Sequence, residues 1–350
     1  MSQPPSLDPA AMAAARRRWA TRAKPPGSLG MMEDVAVHLA GLAGRCPPPV
    51  PEHPAVVVFA GDHGVVEDGA SAWPAAVTVA MVDTISRGAA AINAIATTVG
   101  AYVSVVDVGV AGRLPAGTNL IPRRVRAGTN SIARGPAMTR DEAAEAVAVG
   151  VERARAEIEA GADCLVGGEM GIGNTTSSAA LIAAVTGADP AAVTGPGAGT
   201  PTGGLDAKRA LVAAAVERFR ASRGAAGHGT DPTAIELLSE LGGLEIAALA
   251  GFYTEAAHQR VPFLVDGVIA CAALCVADRL EPGVAGCALI GHRSTEPAAG
   301  VAIDALALRP LLDLDLRLGE GTGAALAVPI LQASARALTT MADLPTGDGA

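Results

Sequence analysis

Five short runs that are apolar almost throughout, at residues 55–60, 102–108, 164–166, 261–265 and 287–291, recur along the chain. Longer segments with helical spacing stand between them, over roughly 75–98 and 140–160. A strand half-exposed to water would alternate apolar and polar residues; runs without that alternation predict strands buried on both faces. Interleaved with helices, they predict a parallel sheet in an α/β fold, Rossmann-like, with helices on both sides. Residues 8–45 read as helical, with Lys24-Pro25-Pro26-Gly27-Ser28-Leu29-Gly30 breaking the segment into two pieces, and the proline-rich 46–51 marks a boundary. Residues 221–232 read as a flexible surface loop carrying a solvated His228 and a helix start at its end. The chain from about 324 reads as a further helix with a frayed tail from 343. There is no internal repeat.

In an open parallel sheet, ligands bind outside the carboxyl ends of the strands. Five polar loops follow the predicted strands and so converge on one rim: Gly61-Asp62-His63-Gly64, Asp107-Val108-Gly109, Gly168-Glu169, Asp266-Gly267 and Gly291-His292-Arg293-Ser294. The richest sequence is 164–178, strand then glycine turn then helix. Gly171 and Gly173 permit close approach of a ligand, and Asn174, Thr175 and Thr176 stand where a helix cap belongs. Such a turn aims N–H groups and hydroxyls at an anion. A plain strand-to-helix turn explains it equally well. It is neither a Walker A loop nor a dinucleotide fingerprint, because no Gly-Lys-Ser/Thr ends it and Thr176 replaces the third glycine. A second turn, Gly195-Pro196-Gly197-Ala198-Gly199, precedes Lys208 by nine residues, which offers a cation at a helix start. Facing one pocket, the two turns would suit a phosphate monoester; taken singly, Lys208 reads as a solvated lysine.

Composition narrows the partners. The 350 residues are half hydrophobic but only 2% aromatic, so the core is built of alanine, valine, leucine and isoleucine. A net charge of −9 argues against a nucleic-acid or anionic-membrane surface, so a bound anion needs a local pocket. A long uncharged stretch, 88–106, is interrupted by Asn93, Thr97, Thr98 and Ser104 and makes a poor membrane span. With no leader pattern at the N-terminus, the expected location is the cytoplasm. Five cysteines at 46, 164, 271, 275 and 287 have no ligand spacing and read as free thiols; neither they nor Asp62-His63 predict a metal site. Two carboxylates on the rim, Glu169 and Glu320 within Gly319-Glu320-Gly321-Thr322-Gly323, compete for the role of base, with an exposed glutamate near a helix start as the alternative for Glu320.

The motifs together resemble one family, the nicotinate-nucleotide–dimethylbenzimidazole phosphoribosyltransferases. The resemblance is carried by Lys24-Pro-Pro-Gly-Ser-Leu-Gly30, Phe59-Ala-Gly-Asp-His-Gly-Val65, Gly88-Ala-Ala-Ala-Ile-Asn93, Val106-Asp-Val-Gly-Val110, Gly168-Glu-Met-Gly-Ile-Gly-Asn-Thr-Thr-Ser-Ser178, Gly242-Gly-Leu-Glu-Ile-Ala-Ala-Leu-Ala-Gly-Phe252, Val265-Asp-Gly267, Gly291-His-Arg-Ser294 and Leu318-Gly-Glu-Gly-Thr-Gly323. They run in order over nearly the whole chain. The resemblance implies a small helical domain from both termini (1–50 and 324–350) around a catalytic domain (51–323), and a homodimer. It implies transfer of phosphoribose from nicotinate mononucleotide to 5,6-dimethylbenzimidazole, with inversion at the anomeric carbon and without metal or cofactor. The family's catalytic glutamate falls on Glu320. Its phosphate and ribose contacts fall on Gly171, Gly173, Asn174, Thr175, Gly197, Lys208, Glu169, Asp266 and Ser294, and its base contacts on Ser71, Met81 and Met170.

In one respect the chain departs from the family. After Ser71-Ala72-Trp73-Pro74 a glutamate and a glutamine are usual near the base, whereas this chain has 75–81 without them, including Val79 and Ala80. The other readings are a non-catalytic nucleotide or corrinoid-precursor binder of the same fold and, on the α/β pattern alone, a dinucleotide-dependent oxidoreductase. The missing third glycine opposes the second.

Overall fold

A computed structural model describes residues 6–115, 119–199, 204–225 and 231–344. Seven strands form one sheet: β1 (Pro54–Gly61), β2 (Tyr102–Gly109), β3 (Leu120–Pro122), β4 (Cys164–Met170), β5 (Phe263–Val265), β6 (Leu289–His292) and β7 (Pro310–Leu312). Their order is β3-β2-β1-β4-β5-β6-β7, and every neighbouring pair is parallel. The chain begins in the middle, runs outward to β3 and returns to β4 on the other side of β1. The order therefore reverses between β1 and β4, and the loops leaving those two strands part there to leave a crevice.

The central strand shows why apolar runs replace alternation. Ala55, Val57 and Phe59 of β1 join one apolar cluster, with the helices Arg140–Glu159, Asn174–Thr186, Leu244–His258 and Val268–Leu280. Val56, Val58 and Ala60 join a second on the opposite face, with Met31–Ala43, Ala76–Ser86, Ala91–Thr98 and Thr322–Thr340. Both faces are covered, so each residue of β1 is buried. The few aromatics are concentrated in the first cluster, where Phe59 meets Phe252 edge-on at 5.5 Å between ring centroids and Tyr253 stacks on Phe263 at 5.3 Å.

The terminal helices Pro9–Thr21, Met31–Ala43 and Thr322–Thr340 share a small cluster of Ala15, Trp19, Ala36, Val37, Ala40 and Leu338. The last helix also supplies Ala324, Ala325, Val328 and Leu331 to the second main cluster, so it is continuous with the sheet.

Several elements differ from the sequence reading. The helix expected over 75–98 is two, Ala76–Ser86 and Ala91–Thr98, because Gly88 adopts a φ of 80° between them. The helix Gly204–Ala225 runs on through 221–225, where a loop was expected, and Thr233 caps the next helix with its Oγ1 accepting from Glu236 N at 3.2 Å. Residues 226–230, with His228, lie outside the described residues. Cys287 closes a helical turn, Val284–Cys287, and β6 begins two residues later. The thiols of Cys164, Cys271, Cys275 and Cys287 are buried and unpaired, and Cys46 is half-buried. No helix among the described residues is long and apolar enough to cross a membrane.

Candidate active site

A cleft of about 80 Å³, open to solvent, lies at the carboxyl edge. Its lining includes Glu169, Met170, Gly171, Asn174, Thr175, Gly197 and Ser294 from the predicted set, together with His292, Glu296 and Gly319. Gly173, Lys208, Asp266 and Glu320 stand immediately behind these residues. Ser71 and Met81 do not line the cleft: Ser71 Oγ accepts from Trp73 N at 3.1 Å, and Met81 packs against the second apolar cluster, as does Met170. Trp73 nevertheless links that segment to the second glycine turn, its indole N–H donating to Ala198 O at 3.4 Å.

The two glycine turns meet through Lys208. Its Nζ donates to Thr175 Oγ1 at 2.8 Å, and a Cβ on Gly197 would come within 2.9 Å of Nζ and 2.8 Å of Thr175 Oγ1. Only glycine at 197 lets the second turn close on this pair. Lys208 is 2% exposed and makes no ion pair among the described residues. Burial lowers its pKa to about 8, and the negative charge of Glu296 works against that fall. Glu296 itself is held by the turn: its Oε1 accepts from Gly197 N at 2.8 Å.

Backbone amides of the first turn are less available than the sequence suggests. Ile172 N donates to Thr78 Oγ1 at 3.2 Å, Asn174 N to Gly171 O at 3.2 Å and Thr176 N to Gly173 O at 3.0 Å. The Asn174 side chain donates to Glu169 Oε2. At this pair of turns, the Lys208 ammonium and the Thr175 hydroxyl are the groups best suited to meet an anion.

The carboxylates form the other half of the site. The 319–323 loop lies directly on β4: a Cβ on Gly168 would sit 2.3 Å from Glu320 O and 2.6 Å from Glu320 C. Glu320 adopts a left-handed φ of 62°, rare for a residue with a side chain, and is 3% exposed. Its Oε2 accepts from Ile92 N at 3.3 Å, at the start of the helix Ala91–Thr98. Burial raises its pKa, the Ile92 amide opposes that rise, and Asp266 adds to it. Asp266 anchors the loop, its Oδ2 accepting from Gly321 N at 3.2 Å and its Oδ1 from Ala324 N at 2.9 Å. His292 Nε2 stands 3.3 Å from Asp266 Oδ1; burial would lower the imidazole's pKa, but the Asp266 hydrogen bond and charge prevail and raise it. Burial, followed by the charges of Glu245 and Asp266, pushes Glu169 up to about 8, so at neutral pH it holds a proton.

The structure thus brings Glu169, Gly171, Gly173, Asn174, Thr175, Gly197, Lys208, Asp266, Ser294 and Glu320 to one edge. Reasoning from sequence passed over Glu245 and Glu296. The available signals were an acid in the first turn of a helix behind Gly242-Gly243 and an acid immediately before Pro297 at a helix start.

Comparison with known proteins finds relatives over nearly the whole chain. A family model described as "Phosphoribosyltransferase" matches residues 4–347. Proteins named nicotinate-nucleotide–dimethylbenzimidazole phosphoribosyltransferase are similar over nearly the whole chain. One from Mycobacterium tuberculosis is 47% identical over 335 residues, covering 96% of this chain and 90% of the relative. One from Thermus thermophilus is 47% identical over 332 residues, covering 95% and 96% respectively. A crystal structure of the Thermus thermophilus enzyme superposes with a TM-score of 0.89 at 46% identity, over 96% of this chain and 97% of that one.

Proposed function

The chain belongs to the nicotinate-nucleotide–dimethylbenzimidazole phosphoribosyltransferase family, and from that premise we propose that it moves the phosphoribosyl group of nicotinate mononucleotide onto 5,6-dimethylbenzimidazole or a related base. The products are α-ribazole 5′-phosphate and nicotinate, formed with inversion at the anomeric carbon. The observation that carries the reading is the buried ammonium of Lys208, hydrogen-bonded to the neutral hydroxyl of Thr175 and without an ion-pair partner among the described residues. A buried charge calls for an opposite one, and a phosphate monoester at the cleft supplies it.

With the phosphate at Lys208 and Thr175, the cleft-lining Ser294 and Asn174 hold the ribose while Asp266, behind them, fixes the loop that carries Glu320, and Glu169, protonated at neutral pH, can donate a hydrogen bond without adding repulsion. Glu320 acts as the base. A neutral benzimidazole carries one N–H and one lone-pair nitrogen. As the lone pair attacks the anomeric carbon, the N–H proton passes to Glu320 and the ring ends neutral. The leaving group is a pyridinium in the substrate, so the electron pair of the broken bond neutralises its nitrogen and no acid is needed. A carboxyl whose pKa burial has raised is better matched to this transfer near neutrality than an exposed glutamate. The remaining residues hold the reactants in line, which converts an encounter into an oriented displacement.

The helix Ala76–Ser86 presents no side-chain amide or carboxylate at the positions in question: Ala80 is exposed, and Val79 lies against Gly112. We therefore read the enzyme as tolerant among benzimidazoles and similar flat bases. By family resemblance it is a homodimer of the cytoplasm. Release of nicotinate that depends on added base, retained by the wild type and lost in Glu320→Ala while nicotinate mononucleotide still raises the melting temperature, is the expected result. Undiminished turnover in that variant removes Glu320 from the role of base.

A further inference from the structure

His63 lies beneath the first glycine turn, in a buried chain of three side chains from three different elements. Its Nε2 is 2.6 Å from Oε1 of Glu245, and its Nδ1 is 3.0 Å from Oγ of Ser177. His63 follows β1, Glu245 occupies the first turn of the helix Leu244–His258, and Ser177 the first turn of the helix Asn174–Thr186. A carboxylate only accepts, so Nε2 donates to it; Nδ1 accepts the Ser177 hydroxyl proton when the imidazole is neutral and donates to Oγ when it is charged. All three residues are at most 2% exposed, and Oε2 of Glu245 has no hydrogen-bond partner among the described residues. A buried carboxylate satisfied on one oxygen is costly to fold around, so the position invites a functional explanation.

The chain of contacts reaches the cleft by touch. A Cβ on Gly173 would meet His63 Cβ at 3.2 Å; one on Gly171 would meet Gly61 O at 2.2 Å and Glu245 Oε1 at 3.5 Å. On the other side a Cβ on Gly243 would meet His63 Cε1 at 2.4 Å, so His63 lies between two glycine segments, one at its Cβ and one at its ring. Ser177 lies two residues after Thr175, whose hydroxyl meets Lys208.

We propose that Glu245, His63 and Ser177 form a positioning relay that fixes the glycine turn 171–173 and the first turn of the helix behind it, and thereby places Thr175 and Lys208 for the phosphate of the nucleotide. This rests on the function proposed above. The three residues touch neither substrate, and their effect passes through the turn. The charge of Glu245 also contributes, after burial, to keeping Glu169 protonated, a second path from the relay to the cleft.

The test uses the full chain with nicotinate mononucleotide and 5,6-dimethylbenzimidazole varied separately, in Glu245→Gln, His63→Ala and Ser177→Ala. A weakened hydrogen bond to a charged group corresponds to about a tenfold loss of affinity. The expected result is a KM for the nucleotide raised about tenfold in the first two variants and about threefold in Ser177→Ala, with kcat within about threefold and the KM for the base within about twofold. Protection against thermal unfolding by inorganic phosphate should weaken in the same order. Should His63→Ala not fold, Ser177→Ala, which removes a single hydroxyl, carries the same test. Unchanged nucleotide KM in folded variants overturns the relay, and so does an equal rise in both KM values, which would signal general loosening. An inactive wild type would instead sink the proposed function, and phosphate protection would still judge the relay by itself.

Discussion

Replacing Gly168 by alanine puts one methyl group at the point where β4 meets the 319–323 loop. The added carbon would sit 2.3 Å from Glu320 O, 2.6 Å from Glu320 C and 3.0 Å from Gly321 N. Ordinary carbon–oxygen contacts begin at about 3.3 Å, so strand and loop must part by about 1 Å. The obstacle is backbone on both sides, and β4 is hydrogen-bonded to β1 and β5, so the loop is the partner that moves. A displacement of that size at a reacting group costs about a hundredfold in rate, equivalent to about 2.7 kcal/mol of barrier. The assay is steady-state nicotinate release at saturating substrates, beside the melting temperature. The expected outcome is kcat down about a hundredfold and a KM for the nucleotide within about threefold, since Lys208 and Thr175 lie on other elements. Gly300→Ala is the control, because a Cβ there meets nothing within 4 Å and the residue lies inside the helix Pro297–Ala305. A Gly168→Ala enzyme with near wild-type kcat would refute the claim that the backbone contact places Glu320.

The other predictions concern protons and bases. Burial raises Glu320 above the ordinary carboxyl value of 4.5, and the base form is the unprotonated one, so activity should fall with decreasing pH through a midpoint above 4.5; a midpoint at or below it would contradict the assignment. Glu320→Gln should lose about a hundred- to ten-thousandfold in kcat with nucleotide binding kept, read by turnover and thermal shift together. Lys208 is lowered to about 8, and its charged form binds phosphate, so the nucleotide KM should climb as pH rises past about 8. Glu169 titrates in the same region, so Lys208→Met is the isolating variant: it should raise the KM at pH 7 and flatten its climb, and a wild-type KM constant from pH 7 to 10 would count against the cradle. A panel of benzimidazoles and purines should yield several products, and strict preference for one would count against the tolerance inferred at Val79 and Ala80.

The sheet was readable because burial on both faces leaves a mark in the sequence, and β1 and β2 carry long versions of it. The edge strands β3 and β7 do not, since each, unlike the equally short but fully buried β5, is incompletely buried. The break between the helices Ala76–Ser86 and Ala91–Thr98 was visible in Gly88, but flanking alanines and isoleucines hid it. In the site, motif resemblance located Glu320, Lys208 and Asp266, whose types announce their chemistry. Pairs made by folding left no spacing to read: His63 and Glu245 are 182 positions apart, and Gly197 and Glu296 are 99 apart. The occupancy of the glycine-turn amides was equally hidden, because Thr78, which accepts from Ile172, comes from a separate helix.

The central claim is that the carboxyl-edge cleft joins phosphoribose to an aromatic nitrogen, using Glu320 to take the proton. Its most direct measurement is an incubation of the purified protein with nicotinate mononucleotide and 5,6-dimethylbenzimidazole, with products resolved by mass and the anomeric configuration read by NMR. The account predicts one nicotinate released for each ribazole phosphate formed, with the α configuration. Free ribose 5-phosphate in place of the coupled product, or a β-linked product, would contradict it.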